Sequence, residues 1–331
     1  MNTTQQKRHR ILSGMRPTGK LHIGHYTGAL ENWVALQETY ENFHLIADYH
    51  ALTTNLDSND IEENSIEMAI DWLAAGIDPH KSKIFRQSKI KEHAELFLIF
   101  SMLISSARLE RNPTLKDQVR DLNIESVVYG HLGYPVLQAA DILLYKGELV
   151  PVGEDQVPHV EITREIARDF NRQYGNVFPI PEPKLTKFAR LTGLDGNAKM
   201  SKSLNNTILL SDAPEEIQKR MKTAVTDPQK VRRNDPGHPE VCTIFTYHKK
   251  FNPNEIEQIE TDCRSGALGC VDCKKNCASK ISELLSPMRE RRTHYEQHRS
   301  EVLDILASGE QHAKEIAQHT MSEVHTTMKL G

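Results

Sequence analysis

Two short segments carry residue types suited to handling phosphate. The first, His22-Ile23-Gly24-His25, follows an apolar run, Arg10–Met15. It opens a stretch to about Tyr40 in which Tyr26, Ala29, Leu30, Trp33 and Val34 recur at helical spacing. A glycine there lets a ligand approach the backbone closely. Amides at a helix start favour phosphate, and two imidazoles add hydrogen bonds or positive charge where a phosphoryl transition state gathers negative charge. A turn with two solvent-facing histidines would look the same in isolation; the strand before it and the amphipathic helix after it favour the phosphate reading. The preceding Gly14-Met15-Arg16-Pro17-Thr18-Gly19-Lys20-Leu21 nearly spells a P-loop. Leu21 stands where that motif needs a Mg²⁺-ligating hydroxyl, so the P-loop reading is rejected.

The second segment is Lys199-Met200-Ser201-Lys202-Ser203. Two lysines three apart on a mobile loop can reach the β- and γ-phosphates of ATP as the loop closes, supplying cations that arrive with the transition state. Alone it would read as a solvated basic turn. Paired with the first segment in one α/β chain, it does not.

These loops need a scaffold to bring them together. Arg10–Met15, 43–47, 83–85 and Leu149–Val152 read as short strands. Helical patterns lie between them: one through Trp72 that stops at Gly76, one to about Leu109, one over about 126–145, and one ending near Tyr174-Gly175. Strands alternating with helices imply an α/β fold, a parallel sheet covered on both faces. After the charged, Pro- and Gly-containing segment 227–240 only helices are expected, which marks a second, all-helical domain. The chain of 331 residues has room for about two domains and for a core without disulfide staples. A formal net charge of -4 argues against nonspecific coating of nucleic acid. Basic clusters at Lys219, Arg220 and Lys222, at Lys230, Arg232 and Arg233, and at Lys274 and Lys275 leave a nucleic-acid partner open. The polar N-terminal residues and the short apolar run 96–104 give neither a secretory signal nor a membrane span, so a soluble, cytoplasmic protein is expected.

Taken together, His22–His25 and Lys199–Ser203 resemble the HIGH and KMSKS signatures of class I aminoacyl-tRNA synthetases. A third run, Tyr134-Pro135-Val136-Leu137-Gln138-Ala139-Ala140-Asp141-Ile142-Leu143-Leu144-Tyr145, leads into Val150-Pro151-Val152-Gly153-Glu154-Asp155-Gln156, with His159, Glu161 and Arg164 beyond. It is similar to the tryptophanyl-tRNA synthetase pattern along nearly its whole length, and the likeness is strong over about 10–225. The resemblance implies a Rossmann-like catalytic domain over 1–198 with a helical dimer-interface insertion around 90–135. It implies that 199–331 carry the KMSKS loop and a helical anticodon-binding domain. It further implies tryptophan activation by ATP with Mg²⁺, transfer to the 3′ end of tRNA(Trp), and a homodimer.

Residue by residue, Tyr134 and Gln156 match positions that hold the amino acid's ammonium and carboxylate, while Leu12, Gly14, His50, Gln138, Val150 and Val152 match walls around the indole. Arg16, Pro17, Thr18, Gly24, His25, Gly153, Glu154, Asp155, Leu191, Met200, Ser201 and Ser203 match ATP contacts. His22, His25, Lys199, Lys202 and Lys116 match the groups that meet the triphosphate. The commonest bacterial form has Gln at Arg16, Asn at His25, Met at Gln138 and Phe at Leu12; Gln138 puts a polar group where an apolar wall is expected. Asp141, set among Ala139, Ala140, Ile142 and Leu143, reads as a buried carboxylate that needs a partner. A donor-only indole N–H suits an acceptor-only carboxylate, and ligands lacking the donor are penalised. The alternative is an internal ion pair with an arginine or lysine.

Four of five cysteines crowd together. Cys263-x₆-Cys270-x₂-Cys273 with Cys242 upstream has loop lengths compatible with four thiolates on one centre, and Cys277 is spare or replaces Cys242. The spacing resembles the [4Fe-4S]-bearing subset of bacterial tryptophanyl-tRNA synthetases. Zinc is the rival centre, and free thiols are the alternative to both. Three other readings of the whole chain are a tyrosine enzyme, a non-charging tryptophan-binding paralogue and a small-molecule adenylyltransferase. The flanks of Asp141 speak against the first, the completeness of both loops against the second, and the second loop with the helical C-terminal part against the third. His25 and Lys202 facing separate cavities, or Asp141 neutralised by a neighbouring cation, would end the synthetase reading.

Overall fold

Apolar strand runs alternating with helices close into one five-stranded parallel sheet in the computed structural model, which describes residues 8–121, 123–185, 191–196, 200–202 and 204–330, without the side chains of 121 and 155. The strands are β1 (Arg10–Met15), β2 (Glu41–Ile46), β3 (Ser82–Arg86), β4 (Leu149–Val152) and β5 (Glu182–Leu185), in the order β3-β2-β1-β4-β5. Leu12 pairs with Phe43, Phe43 with Lys83, Ile11 with Leu149 and Leu149 with Glu182. Chain order reverses between β1 and β4. In such a sheet the crevice at the carboxyl ends of those two strands is where ligands bind.

The longer helices are α1 (Ile61–Ala75), α2 (Glu92–Ser101), α3 (Pro113–Asp121), α4 (Tyr134–Leu144), α5 (Val157–Tyr174), α6 (Pro214–Thr223), α7 (Cys270–Gln297) and α8 (Arg299–Met328). α1 ends as its sequence predicts. Gly76 takes φ 111°, its amide reaches Leu73 O and that of Ile77 reaches Trp72 O, a Schellman cap that an L side chain would strain. Four expected strands form at or near their expected places. β5 escapes the pattern because it is a half-exposed edge strand containing Pro183. The helix expected over about 24–40 is shorter and broken: Ile23–His25, a π turn at Tyr26–Leu30, then Glu31–Leu36.

Both faces of the sheet are buried, and the C-terminal helices take part in both cores. One core joins Leu21, Ile23, Trp33, Ile46 and Trp72 to Met200, Leu285, Val302 and Leu306. The other joins Leu12, Phe43, Phe85, Tyr145 and Phe170 to Ala313, Ala317 and Val324. At Gly309, α8 approaches β3 so closely that a Cβ would lie 2.0 Å from Ile84 O. Arg86 clamps the same contact through Glu310 at 2.6 Å. Buried Arg292 of α7 pairs with Asp71 and Glu67 of α1. Among the described residues, no helix is long and apolar enough to cross a membrane.

Candidate active site

The end of β1 and the end of β4 frame a cavity of about 390 Å³. Leu12, Gly14 and Arg16 line it from the first strand and the loop beyond it, Val150, Val152 and Gly153 from the fourth. Tyr134, Gln138 and Asp141 line it from α4, and His50, Gln156 and Trp33 complete much of the wall. Gly14 is required here by space: a Cβ would fall 2.6 Å from Leu45 O on the neighbouring strand.

The two phosphate-type segments meet each other, the first lying just before Gly28 and Ala29, which line the cavity. Ile23 N donates to Ile208 O and Leu210 N to Leu21 O, both at 2.9 Å, so the chain just after Lys202 runs antiparallel to the first motif. A Cβ on Gly24 would lie 2.8 Å from Met200 Sδ, which shows how closely the second segment sits on the first. The Lys202 ammonium donates to Thr18 O. The His22 and His25 rings lie 3.8 Å apart, and His22 N donates to His25 Nδ1 at 3.2 Å. Beneath them, Asp71 accepts from Leu21 N at 2.6 Å while paired with Arg292. Burial pushes the Asp71 carboxyl up to about 6, with Arg292 and the Leu21 amide pulling against it. Desolvation lowers the Lys202 pKa, with the Asp71 charge acting the other way.

Asp141 lies 2% exposed on α4. Oδ1 accepts from Gln87 Nε2 at 2.6 Å and bonds His93 Nδ1 at 2.7 Å; Oδ2 bonds His50 Nε2 at 2.8 Å. Burial alone would raise this carboxyl, but the bonds from His50 and His93 outweigh it and hold it at about 2. The described residues place no arginine or lysine on it. A carboxylate has about four lone-pair sites, so the three bonds leave one acceptor direction on Oδ2, and both Asp141 and its Oδ2 partner His50 line the cavity. A second relay runs Tyr134 Oη to His159 Nε2 at 2.7 Å and His159 Nδ1 to Gln156 Oε1 at 2.9 Å. It fixes both polar groups expected at the amino-acid end.

A family profile described as tRNA synthetases class I (W and Y) matches residues 4–286. The chain belongs to this family. It is 50% identical over 326 residues to the tryptophan–tRNA ligase of Thermotoga maritima, covering 97% of this chain and 99% of the relative. To the tryptophan–tRNA ligase of Aquifex aeolicus it is 44% identical over 394 aligned positions, covering 97% and 100%. Among solved structures, the tryptophanyl-tRNA synthetase of Campylobacter jejuni complexed with ADP and tryptophan superposes with a TM-score of 0.86. That pair is 36% identical, with 97% and 99% of the chains covered.

Within this class I synthetase, the expected site residues fall into groups. Leu12, Gly14, Arg16, His50, Tyr134, Gln138, Asp141, Val150, Val152, Gly153 and Gln156 all line the one cavity. His22, Gly24, His25, Thr18, Met200 and Lys202 are brought together by the contacts above. Pro17 is buried, Glu154 opens a short 3₁₀ turn after β4, and Leu191 packs in the core cluster that holds Met200, Leu21 and Ile23. Ser201 is anchored by Asn206 Oδ1 at 2.8 Å. Lys116 is exposed on α3 and does not line the cavity; Gln118 of that helix does. Lys199, Ser203 and the side chain of Asp155 lie outside the described residues. The Gln87, His93 and Tyr145 side chains behind Asp141 were not among the expected residues. Their signal in the sequence is faint: single polar groups inside apolar surroundings.

The expected cysteine centre is not formed as a ligand set. Among the described residues, no group of three or more His, Cys, Asp or Glu side chains is arranged to hold a metal ion. The thiols nevertheless share one neighbourhood. Burial, reinforced by Cys242, Cys263 and Cys270, pushes Cys273 up to about 12, and Cys263 is raised by burial and by Cys242 and Cys270. Cys277 is wholly buried in the apolar core, which accounts for it without a metal.

Proposed function

We propose that this synthetase activates L-tryptophan with ATP to tryptophanyl-AMP and pyrophosphate, then transfers tryptophan to the 3′ end of tRNA(Trp). One observation carries the reading: two phosphate-handling segments meet beside a cavity whose buried carboxylate keeps one acceptor direction open. The tryptophan carboxylate attacks the α-phosphorus, an O–P bond forms and the bond to pyrophosphate breaks. No covalent nucleophile on the protein is needed; orientation and charge stabilisation suffice. Tyr134 and Gln156 hold the ammonium and carboxylate, the Leu12, Gly14, His50, Gln138, Val150 and Val152 walls enclose the ring, and Asp141 accepts its N–H. Arg16, Pro17, Thr18, Gly24, Gly153, Glu154, Asp155, Leu191, Met200, Ser201 and Ser203 surround ATP. His22, His25, Lys199, Lys202 and Lys116 meet the triphosphate, with Mg²⁺ arriving on the nucleotide.

The remaining parts of the reading rest on separate supports. Residues 1–198 carry activation and 199–331 the helical part that reads the tRNA anticodon, where the basic clusters lie. A homodimer over about 90–135 is supported by exposed Leu98, Met102, Val127, Val128 and Tyr129; Phe97 beside Gly133 and the Tyr129 carbonyl shows that these segments adjoin. A cytoplasmic location is part of the proposal, supported by substrates, tRNA and ATP, that are met there. Cys242, Cys263, Cys270 and Cys273 are the candidate thiolates of an iron–sulfur or zinc centre, supported by spacing and mutual proximity. Such a centre takes no part in activation. Anaerobic purification with iron, sulfide and zinc analysis decides it.

ATP–pyrophosphate exchange with each of the twenty amino acids tests the central claim. Strong exchange with tryptophan alone is expected; strong exchange with tyrosine and none with tryptophan would overturn it.

A further inference from the structure

Behind Asp141 lies a chain of polar groups that never reaches the cavity. Gln87, His93 and Tyr145 are each 0% exposed and none lines the pocket. His93 sits between two partners, with Nδ1 at 2.7 Å from Asp141 Oδ1 and Nε2 at 2.7 Å from Tyr145 Oη. A carboxylate accepts only, so a singly protonated ring carries its proton on Nδ1, and Nε2 then accepts the Tyr145 hydroxyl proton. The tyrosine ring is held in place: it stacks on Phe43 at 5.4 Å and 18° and meets Phe85 edge-on at 5.0 Å. Gln87 is also fixed, since its Oε1 accepts from Tyr49 N at 3.2 Å, which turns its NH₂ toward Asp141.

The consequence is a division of labour within one carboxylate. Both lone-pair sites of Oδ1 are filled from behind, and the open acceptor direction is confined to Oδ2. We propose that His93, locked by Tyr145, is a positioning residue for amino-acid selection: it pins Oδ1 so that Asp141 presents a single oxygen to a ring N–H. This rests on the reading that Asp141 accepts the substrate's ring N–H. Without His93 the carboxylate regains a free site on Oδ1 and freedom to rotate, and the geometric demand on the ligand relaxes.

The test compares tryptophan with its analogue in which sulfur replaces the ring N–H (3-benzothienylalanine), by ATP–pyrophosphate exchange with the full-length protein. His93→Leu is expected to lower kcat/KM for tryptophan roughly 10- to 100-fold, mainly through KM, the range for losing one hydrogen bond to a charged acceptor. For the analogue the change is expected to stay within about threefold, since it makes no bond to Oδ2. His93→Gln, which can still offer an N–H, recovers part of the loss, and Tyr145→Phe gives a smaller effect of the same kind. Equal losses for both substrates in His93→Leu and Tyr145→Phe, or no loss for tryptophan, overturn the inference. Asp141→Asn separates the two levels. If it leaves the tryptophan-to-analogue ratio intact, the reading of Asp141 falls. If it abolishes the ratio while His93→Leu and Tyr145→Phe keep it, only the role of His93 falls. Should His93→Leu fail to fold by circular dichroism, Tyr145→Phe, which removes one oxygen, carries the comparison.

Discussion

Replacing Asp141 by Asn keeps the side chain's shape and removes its charge, and the cost can be worked from its surroundings. Although desolvation raises the carboxyl, the imidazole donors of His50 and His93 hold it at about 2, against an ordinary value of 3.8. At about 1.4 kcal/mol per tenfold change in proton affinity, that gap contributes about 2–3 kcal/mol to folding. Because the folded value lies below the unfolded one, the contribution is fully present above about pH 4 and is lost as pH falls through about 2. Asparagine also turns an NH₂ toward at least one native donor, so the loss is not smaller than this. With an unfolding entropy of about 2.1 cal/mol/K per residue, 331 residues give about 0.7 kcal/mol/K and a Tm lowered by about 3–4 °C. Calorimetric melting from pH 8 to pH 3.5, alongside pyrophosphate exchange, checks the value. The Tm difference from the parent should hold constant down to about pH 5 and narrow only below about 4, with tryptophan-dependent exchange lowered toward the level of the sulfur analogue throughout. A difference that shrinks between pH 7.5 and 5.5 would mean that Asp141 titrates near neutrality and that its donors do not hold it as described.

Three other perturbations probe different parts of the molecule. Gly24→Ala places a methyl 2.8 Å from Met200 Sδ, so Met200 must shift and the seat of the second segment on the first is disturbed; exchange kcat should fall roughly 10- to 100-fold while thermal stability changes little. Arg292→Met leaves buried Asp71 without its cation and partly buried Glu67 with only Arg299 at 3.7 Å, and urea unfolding should show a loss of about 3–5 kcal/mol. His44 is fully buried between Trp33 and Trp72, and burial holds its pKa at about 3. Its folded value lies below the unfolded value of about 6.5, so its contribution to stability is present above that pH and is lost as pH falls toward 3. His44→Phe cannot take up that proton, and between pH 7.5 and pH 5 it should gain about 2 kcal/mol on the parent in urea unfolding.

The sheet was readable because its signals are local. β1 and β4 lie where runs of apolar residues stop at Arg16-Pro17 and at Gly153, and α1 ends at the glycine that its cap needs. The same holds for the two phosphate-type segments, whose composition alone suggests their chemistry. What local pattern cannot show is partnership across the chain. The donors to Asp141 stand 91, 54 and 48 positions away, and no periodicity reports which polar groups meet in a core. The expectation that this carboxylate waits for a ligand as its main partner was therefore incomplete: three protein donors already satisfy it.

That incompleteness bears on how selection works. An unpartnered buried carboxylate would pay heavily for desolvation and would take up a proton or a stray cation in place of a ring N–H. Three donors remove that escape while leaving one acceptor direction, so the ligand is asked for a single hydrogen bond of fixed geometry. Motifs near the phosphates are shared by enzymes that handle different amino acids, as the family's joint description for W and Y implies. On the reading proposed above, discrimination resides in Asp141 together with Gln87, His93 and Tyr145, which stand behind the cavity and do not line it. Their placement depends on β3, α2 and α4 packing in register around the second core, so the accuracy of amino-acid choice is a property of that packing as much as of the cavity wall.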